Sequence, residues 1–411
     1  MYRDVTFAAE QIELVAGGGV TTPRGFRAGA VSAGVKAGAD RLDVAVVVAH
    51  APCTAAAVFT QCAVVAAPVL LSRQRVADGR AQGIVLNSGN ANACTGAPGL
   101  AAARRMADIA AKTVGIDPDL MLVASTGVIG VPLPIDRIVR ALGSVTPTVE
   151  GGHDAAQAIL TTDRVPKEAA LRFDVGGRSI CVGGMAKGSG MIHPNMATLL
   201  SVITTDAPLE PHFAAGVLKR CVSRTFNQVS VDGDTSTNDM VALFGSGAAG
   251  GAPIGAGGAE AAAFEGALER VCTELARLIA RDGEGATRLI EVAVDGARSE
   301  ADAQLVARSV IRSNLVKAAI YGRDPNWGRI LAAVGNAGVQ IDPNAIDAWI
   351  GGHRVAAGGA AVDFDAQEVS EAMGVDEVQI RVSLNAGEAN GRAWGCDLTE
   401  GYVKINAEYT T

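Results

Sequence analysis

Three stretches of this 411-residue chain carry residue types that packing alone does not require. The first is KGSGMIHPNMATLLSVITTDA, Lys187 to Ala207. Its glycines let the backbone bend, its lysine offers a cation, and it sets Thr198 between small and apolar residues. The second is STGVIG, 125–130, where the Thr126 hydroxyl and the Gly127 N–H stand together at a strand end. Such donors are what a developing oxyanion needs. The third is SVDGDTSTND, 230–239, dense in acids and small polar groups that are costly to bury.

Taken alone, Thr198 reads as a β-branched strand residue. A threonine hydroxyl is a weak nucleophile and needs a base. Cleaving the chain just before Thr198 would supply one without a histidine. The new α-amine, with a pKa of roughly 7.7–8.0, would lie beside its own hydroxyl.

Other chemistries find less support. The five histidines are far apart, with no HExxH and no Cys/His cluster, so the spacing offers no metal site. No GxSxG elbow occurs. GGMAKGSG is a poor phosphate loop because its lysine precedes the glycine. The net charge of −8 comes with interspersed signs and no basic cluster, which argues against nucleic acid. The seven cysteines are scattered without a CxxC, as in a reducing compartment. The N-terminus lacks the pattern of a signal peptide. The longest apolar candidate, LDVAVVVAHAPCTAAAVF, is broken by Asp43, His50 and Pro52 and is too polar for a membrane span. A cytoplasmic protein is the expectation.

The elements that must position these residues are mixed. Hydrophobic residues make up 49% of the chain but aromatics only 4%, and there are 50 glycines, which suggests tight α/β packing with many turns. Strands are expected at 41–49, at the start of 83–96 and at 120–130, the last two running into small-residue turns. Helices are expected over 97–115, 152–163, which leads into a Thr-Thr-Asp turn, and 212–226. The longest helix is expected over 260–287, stopped near Gly283. A hairpin over 172–190 would turn at Gly176-Gly177, and 245–259 reads as a Gly/Ala loop. Without a regular βαβ rhythm or a fixed-period repeat, the class is α/β in the α+β or layered-sandwich sense.

At this point the sequence resembles a known family, the ornithine acetyltransferases or glutamate N-acetyltransferases. The likeness covers essentially the whole chain. It is carried by TTPRGFRAGAVSAGVKAGADRLDVAVV, LNSGNANACTG, STGVIG, TTD, KGSGMIHPNMATLL, VDGDTSTND, SNLVKAAIYGRDPNWGRI and the terminal INAEYTT. The resemblance implies an αββα-type layered sandwich in two lobes. It implies self-cleavage between Ala197 and Thr198, giving an α chain of 1–197 and a β chain of 198–411 that assemble as a dimer of αβ units. It implies that Thr198 takes the acetyl group of N²-acetylornithine and passes it to L-glutamate in ping-pong fashion, with Thr126 and Gly127 as the oxyanion pair.

The same resemblance places Lys187, the pair Thr161 and Thr162, Thr198, Glu284, Asn406 and Thr411 at substrate-contacting positions. It leaves open which of the two threonines makes the contact. No cofactor is implied. Some members also accept acetyl-CoA, and no residue here decides whether this one does.

Read from the residues alone, Lys187 would be a solvated charge, Glu284 a helix-end surface acid, and Asn406 and Thr411 parts of a frayed end. Trp327 and Arg329 look architectural. Arg164 stands where many relatives have a threonine, which sets a long cation near a substrate-side turn. Two rival readings remain. One is an N-terminal-nucleophile amidohydrolase or aminopeptidase that uses water as acceptor. The other is a non-catalytic binding protein, which would have lost Thr198, Thr126 or Gly127.

Overall fold

The computed structural model describes residues 12–38, 41–193 and 199–408. They form two sheets and eleven α-helices.

The first sheet has nine strands and is organised by one of them. Strand Val44–Phe59 pairs along its first half with Phe26–Val31 and Arg80–Asn87, and along its second half with Met240–Gly245. Its pairing with Arg80–Asn87 slips between Val48 and Cys53, the interval that holds Pro52. Proline has no N–H for the ladder, so an irregularity belongs there. The sequence suggested a strand only to residue 49. The chain instead continues through the irregularity for ten more residues.

Side-chain alternation shows how this sheet folds over. Ala45, Val47 and Ala55 share one core with Ile84, Leu86, Leu200, Val202, Ala242 and Phe244. Val44, Val46 and Val85 point the other way, onto helices Gly96–Val114 and Ile135–Leu142. Past the bend, Ala56 and Val58 join Ile203, Val241 and Leu243 against helices Pro211–Arg224 and Gly258–Arg281. Two halves of one sheet thus face each other with helices outside each, an αββα sandwich.

Local sequence explains the flanking helices. In Gly258–Arg281 the residues Phe264, Leu268, Val271, Leu275 and Ile279 recur at three- and four-residue spacing, and all are buried. Gly96–Val114 ends at Gly115, whose φ of 76° is the left-handed C-cap that glycine adopts most readily. The hairpin of Lys167–Val175 and Arg178–Lys187 turns at Gly176-Gly177, as its sequence suggests.

The second sheet has seven strands. Its central strands Leu289–Ala297, Glu377–Ser383 and Ala389–Cys396 pack an aliphatic face onto helices Glu300–Arg312, Asn314–Gly322, Trp327–Gly335 and Ala366–Ala372. The described strands that precede and follow residues 194–198 in sequence are neighbours in the first sheet. Strand Arg178–Lys187 lies beside Leu200–Thr205, which lies beside Met240–Gly245. Among the described residues no helix is long and apolar enough to cross a membrane.

Candidate active site

Thr126 follows the strand Met121–Ser125, and its position is braced by asparagines from the LNSGNANACTG loop. The Ser125 hydroxyl donates to Asn87 Oδ1 at 2.6 Å, and Asn87 Nδ2 donates to the Asn90 carbonyl at 2.9 Å. Asn238 Nδ2 donates to the carbonyls of Ala91 and Ser125, tying the third polar stretch to the same turn. The Thr126 N–H is spent on the Asn87 carbonyl, which leaves its hydroxyl as the group toward the cavity. Gly127 has φ 131°, and a Cβ there would come within 2.3 Å of the Gly89 backbone. Only glycine fits.

The segment that leads toward Thr198 is held nearly residue by residue. The Gly188 N–H donates to Asp163 Oδ1 at 2.7 Å, and the Ser189 hydroxyl to the Asp282 carbonyl at 2.7 Å. The Met191 and Ile192 N–H groups donate to the two oxygens of Asp232, with Met191 in the left-handed region at φ 56°. The His193 carbonyl accepts from the Thr235 hydroxyl, and its ring meets Ser230 and Arg308. Burial and the charges of Arg308 and Arg312 hold that imidazole down at about 4, so it is neutral. Ala197, Thr198 and Thr411 lie outside the described residues. Leu199, the next described residue, is buried and lines the cavity, and Leu200 lies directly across the sheet from Lys187.

That cavity, of about 310 Å³, brings together Thr126, Gly127, Thr161, Thr162, Lys187, Glu284 and Asn406. Five stretches far apart in sequence thus converge. Lys187 is not a solvated charge. It is 7% exposed, and its Nζ donates to Thr161 Oγ1 at 2.7 Å and to Thr126 Oγ1 at 3.4 Å. Of the two adjacent threonines, Thr161 is therefore the one joined to the lysine.

Behind Lys187 runs a buried chain of charges. Asp163 lies 3.8 Å from Lys187 and 2.6 Å from Lys167, and Lys167 lies 2.7 Å from Asp282. Burial lowers the Lys187 pKa, with Asp163 the main opposing influence. Burial also works against the Asp163 carboxylate, but Lys187, Lys167 and donated hydrogen bonds outweigh it and hold the group well below the usual carboxylate range. Arg164 ends this chain with its Nε 3.0 Å from Asp282 Oδ1 and its side chain largely exposed. It does not line the cavity.

Glu284 is buried rather than a surface acid. The turn after helix Gly258–Arg281 delivers it opposite Gly190, where a Cβ would meet its carboxyl at 2.4 Å. Gly285, at φ 70°, lets helix Glu400–Glu408 approach: a Cβ there would come within 2.3 Å of Tyr402 N. That helix brings Asn406, whose Nδ2 donates to Glu284 Oε2 at 2.8 Å.

The sequence alone missed Asp163, Lys167 and Asp282 as a buried network, and it did not single out Asp232, Asp239 or Tyr402. Asp163 and Lys167 share a short polar stretch, TTDRVPK, but nothing in it shows that both are buried. Trp327 and Arg329 lie outside the cavity. Trp327 packs on the second core, and Arg329 donates to the Leu315 carbonyl. Among the described residues no three or more His, Cys, Asp or Glu side chains are grouped to hold a metal.

Comparison with known proteins identifies the family. The ArgJ family model matches residues 27–411. The chain is 51% identical over 397 residues to the arginine biosynthesis bifunctional protein ArgJ of Symbiobacterium thermophilum, covering 96% of this chain and 99% of that one. It is 47% identical over 398 residues to the protein of the same name from Parasynechococcus marenigrum, covering 96% of each. Among solved structures it is similar to the ArgJ protein of Bacillus halodurans, with 44% identity, a TM-score of 0.49, and coverage of 50% of this chain and 97% of that one. With a family match of this extent, the chain belongs to the ArgJ family of arginine-biosynthesis acyltransferases.

Proposed function

We propose that this enzyme cuts itself between Ala197 and Thr198, and that the freed Thr198 carries an acetyl group from N²-acetylornithine to L-glutamate by a ping-pong route. The observation that carries the reading is the convergence, on one cavity, of the Thr126–Gly127 turn, the buried Lys187, the buried Glu284 and Leu199, the residue that follows Thr198.

The steps follow from the chemistry of these groups. The α-amine of Thr198 takes the proton of its own hydroxyl, and the oxygen attacks the acetyl carbonyl. Negative charge forms on the carbonyl oxygen, and the Thr126 hydroxyl and the Gly127 N–H stabilise it. The α-amine returns the proton to the departing nitrogen of ornithine. Glutamate then enters, and the same steps run in reverse onto its amine. Both amino acids carry an α-carboxylate, for which Lys187 is the buried cation. The side-chain ammonium of acetylornithine pairs with Glu284, which Asn406 orients. Self-cleavage would leave the two chains interleaved in one sheet, because the strands on either side of the cut are hydrogen-bonded neighbours. We place the reaction in the cytoplasm, in a dimer of αβ units. Acetyl-CoA is a second donor to test, with only its acyl end entering a cavity of this size.

The test is intact mass followed by assay. The expected product is two chains, the second beginning at Thr198, that together make acetylglutamate from acetylornithine and glutamate. Thr198→Ala is expected to remain uncut and inactive. An uncut chain with full activity would refute the mechanism. Acetate release without acetylglutamate would move the protein to the amidohydrolase reading.

A further inference from the structure

The mature enzyme uses the α-amine of Thr198 as its base. Before the cut that nitrogen is an amide, its lone pair delocalised into the carbonyl, and it cannot act as one. The cut must still move a proton, because the Thr198 hydroxyl has to lose one and the departing nitrogen has to gain one. Another group must carry it.

Most titratable groups around the cavity are already engaged. Lys187 is bonded to Thr161 and Thr126 and faces Asp163. Asp232 accepts from the N–H groups of Met191, Ile192 and Asp234, and Glu284 accepts from Asn406. Asp239 differs. It is 2% exposed and lines the cavity, and its Oδ2 meets no hydrogen-bond partner among the described residues. An unsatisfied buried polar atom costs about 1–3 kcal/mol and calls for a reason.

Its position suggests one. Asp239 precedes Met240, whose N–H donates to the Leu199 carbonyl at 3.0 Å. The Leu199 N–H and the Ser236 hydroxyl both approach its carboxyl. Leu199 directly follows Thr198 in sequence, so this carboxyl is held against the neighbour of the nucleophile. The titratable groups that face it are Lys187, from strand Arg178–Lys187, and Cys62, from the loop after Val44–Phe59. Burial pushes the carboxyl well above the usual range despite Lys187, which favours its protonated form.

We infer that Asp239 is the proton carrier of self-cleavage, an inference that rests on the cleavage reading above. A protonated carboxyl can give its proton from one oxygen while accepting another on the second. The Thr198 Oγ attacks the Ala197 carbonyl carbon and forms a new C–O bond. As the Ala197–Thr198 C–N bond breaks, Asp239 gives its proton to the nitrogen and takes up the hydroxyl proton. The products are an ester linking Ala197 to Thr198 and a free α-amine, with Asp239 again protonated. Water then hydrolyses the ester to the Ala197 carboxylate and the Thr198 hydroxyl. The α-amine, once made, takes over as base for acetyl transfer.

The experiment is pulse synthesis of the full chain in a cell-free system. Uncut and cut species are followed by denaturing gel and intact mass across a range of pH, with melting temperatures recorded for each variant. Asp239→Asn is expected to slow the cut by about 10²-fold or more, the lower end of what positioned acid–base groups contribute. Asp239→Glu should recover part of that loss, and the wild-type rate should fall as rising pH removes the carboxyl proton. A structural role predicts the opposite order, because asparagine is the better isostere. Cutting of Asp239→Asn at the wild-type rate, asparagine outperforming glutamate, or a pH-independent wild-type rate would overturn the inference. If the asparagine variant does not fold, the wild-type and glutamate pH profiles decide. A wild-type chain never cut at Thr198 would overturn the cleavage reading and this inference with it.

Discussion

The two lobes bury charge to different extents. Around the first sheet, Lys167, Lys187, Asp239, Asp282 and Glu284 are withdrawn from water, along with the asparagines behind Thr126. The core of the second sheet is built on aliphatic residues such as Val292, Ile380 and Val382; fewer charges are buried around it, Glu291, Lys317 and Asp397 among them, and its pairs Arg354–Asp347 and Arg381–Asp295 lie nearer the surface. Buried charge is costly, and replacing it with well-packed apolar groups is often neutral or stabilising. A lobe that keeps so much of it is being used for something other than stability. The second lobe reaches the cavity through the C-terminal helix that follows its last strand and through the loop after Val229–Ser230, which carries Asp232.

The largest effect should come from breaking the charge chain. Asp163→Asn leaves Lys187 without its nearest carboxylate and takes one of two from Lys167. Loss of one partner of a buried pair costs about 3–5 kcal/mol, to be read from denaturant midpoints. The Asp163 pKa is depressed in the folded state, so its contribution is present above the unfolded value of about 3.9 and disappears as pH falls through the lower folded value. The gap between wild type and variant should therefore close in strong acid. Asp163 also opposes the fall in the Lys187 pKa. The alkaline limb of kcat/KM, where Lys187 loses its charge, should then move to lower pH in the variant. An unmoved limb would separate Lys187 from substrate capture.

Thr126→Ala tests the chemistry with less disturbance of the fold. Loss of one oxyanion donor should lower kcat by about 10²–10³-fold while the melting temperature changes little. An unchanged kcat would move the oxyanion site elsewhere and blur the contrast between the lobes.

Much of this was legible in the sequence, and the unread part has one cause. Helix boundaries followed apolar spacing and glycine stops, as at Gly115, and the hairpin followed Gly176-Gly177. Local composition carries such signals. The strand through Pro52 was cut short because a bend that folds a sheet over depends on partners far away in sequence. The same holds for burial of charge. Lys187 and Glu284 have the local sequence of surface residues, and only their distant partners Asp163 and Asn406 make burial tolerable. The stretches around Thr126, Lys187 and Asp239 therefore stood out by residue type, Glu284 was found by family likeness, and the roles of Asp163 and Asp239 emerged only from the fold.

The second lobe should respond in stability alone. Ile380→Val removes one methylene from a fully buried strand position and should cost about 0.5–1.5 kcal/mol, with self-cleavage and kcat unchanged. A kcat that moved with it would mean that the aliphatic core is coupled to the cavity.

The smallest effect is expected at an exposed position of the same sheet. Arg381 lies 2.7 Å from Asp295 and stacks 4.3 Å from the centre of the Trp349 ring, with its side chain 47% exposed. An exposed pair of this kind contributes about 0.2–1 kcal/mol. Arg381→Ala should therefore lower stability slightly, less so in high salt where the ionic part is already screened, and leave acetyl transfer untouched. A loss comparable to that of Asp163→Asn would show that surface charge in the second lobe matters as much as buried charge in the first. The division between a lobe that spends charge on chemistry and one that does not would then fail.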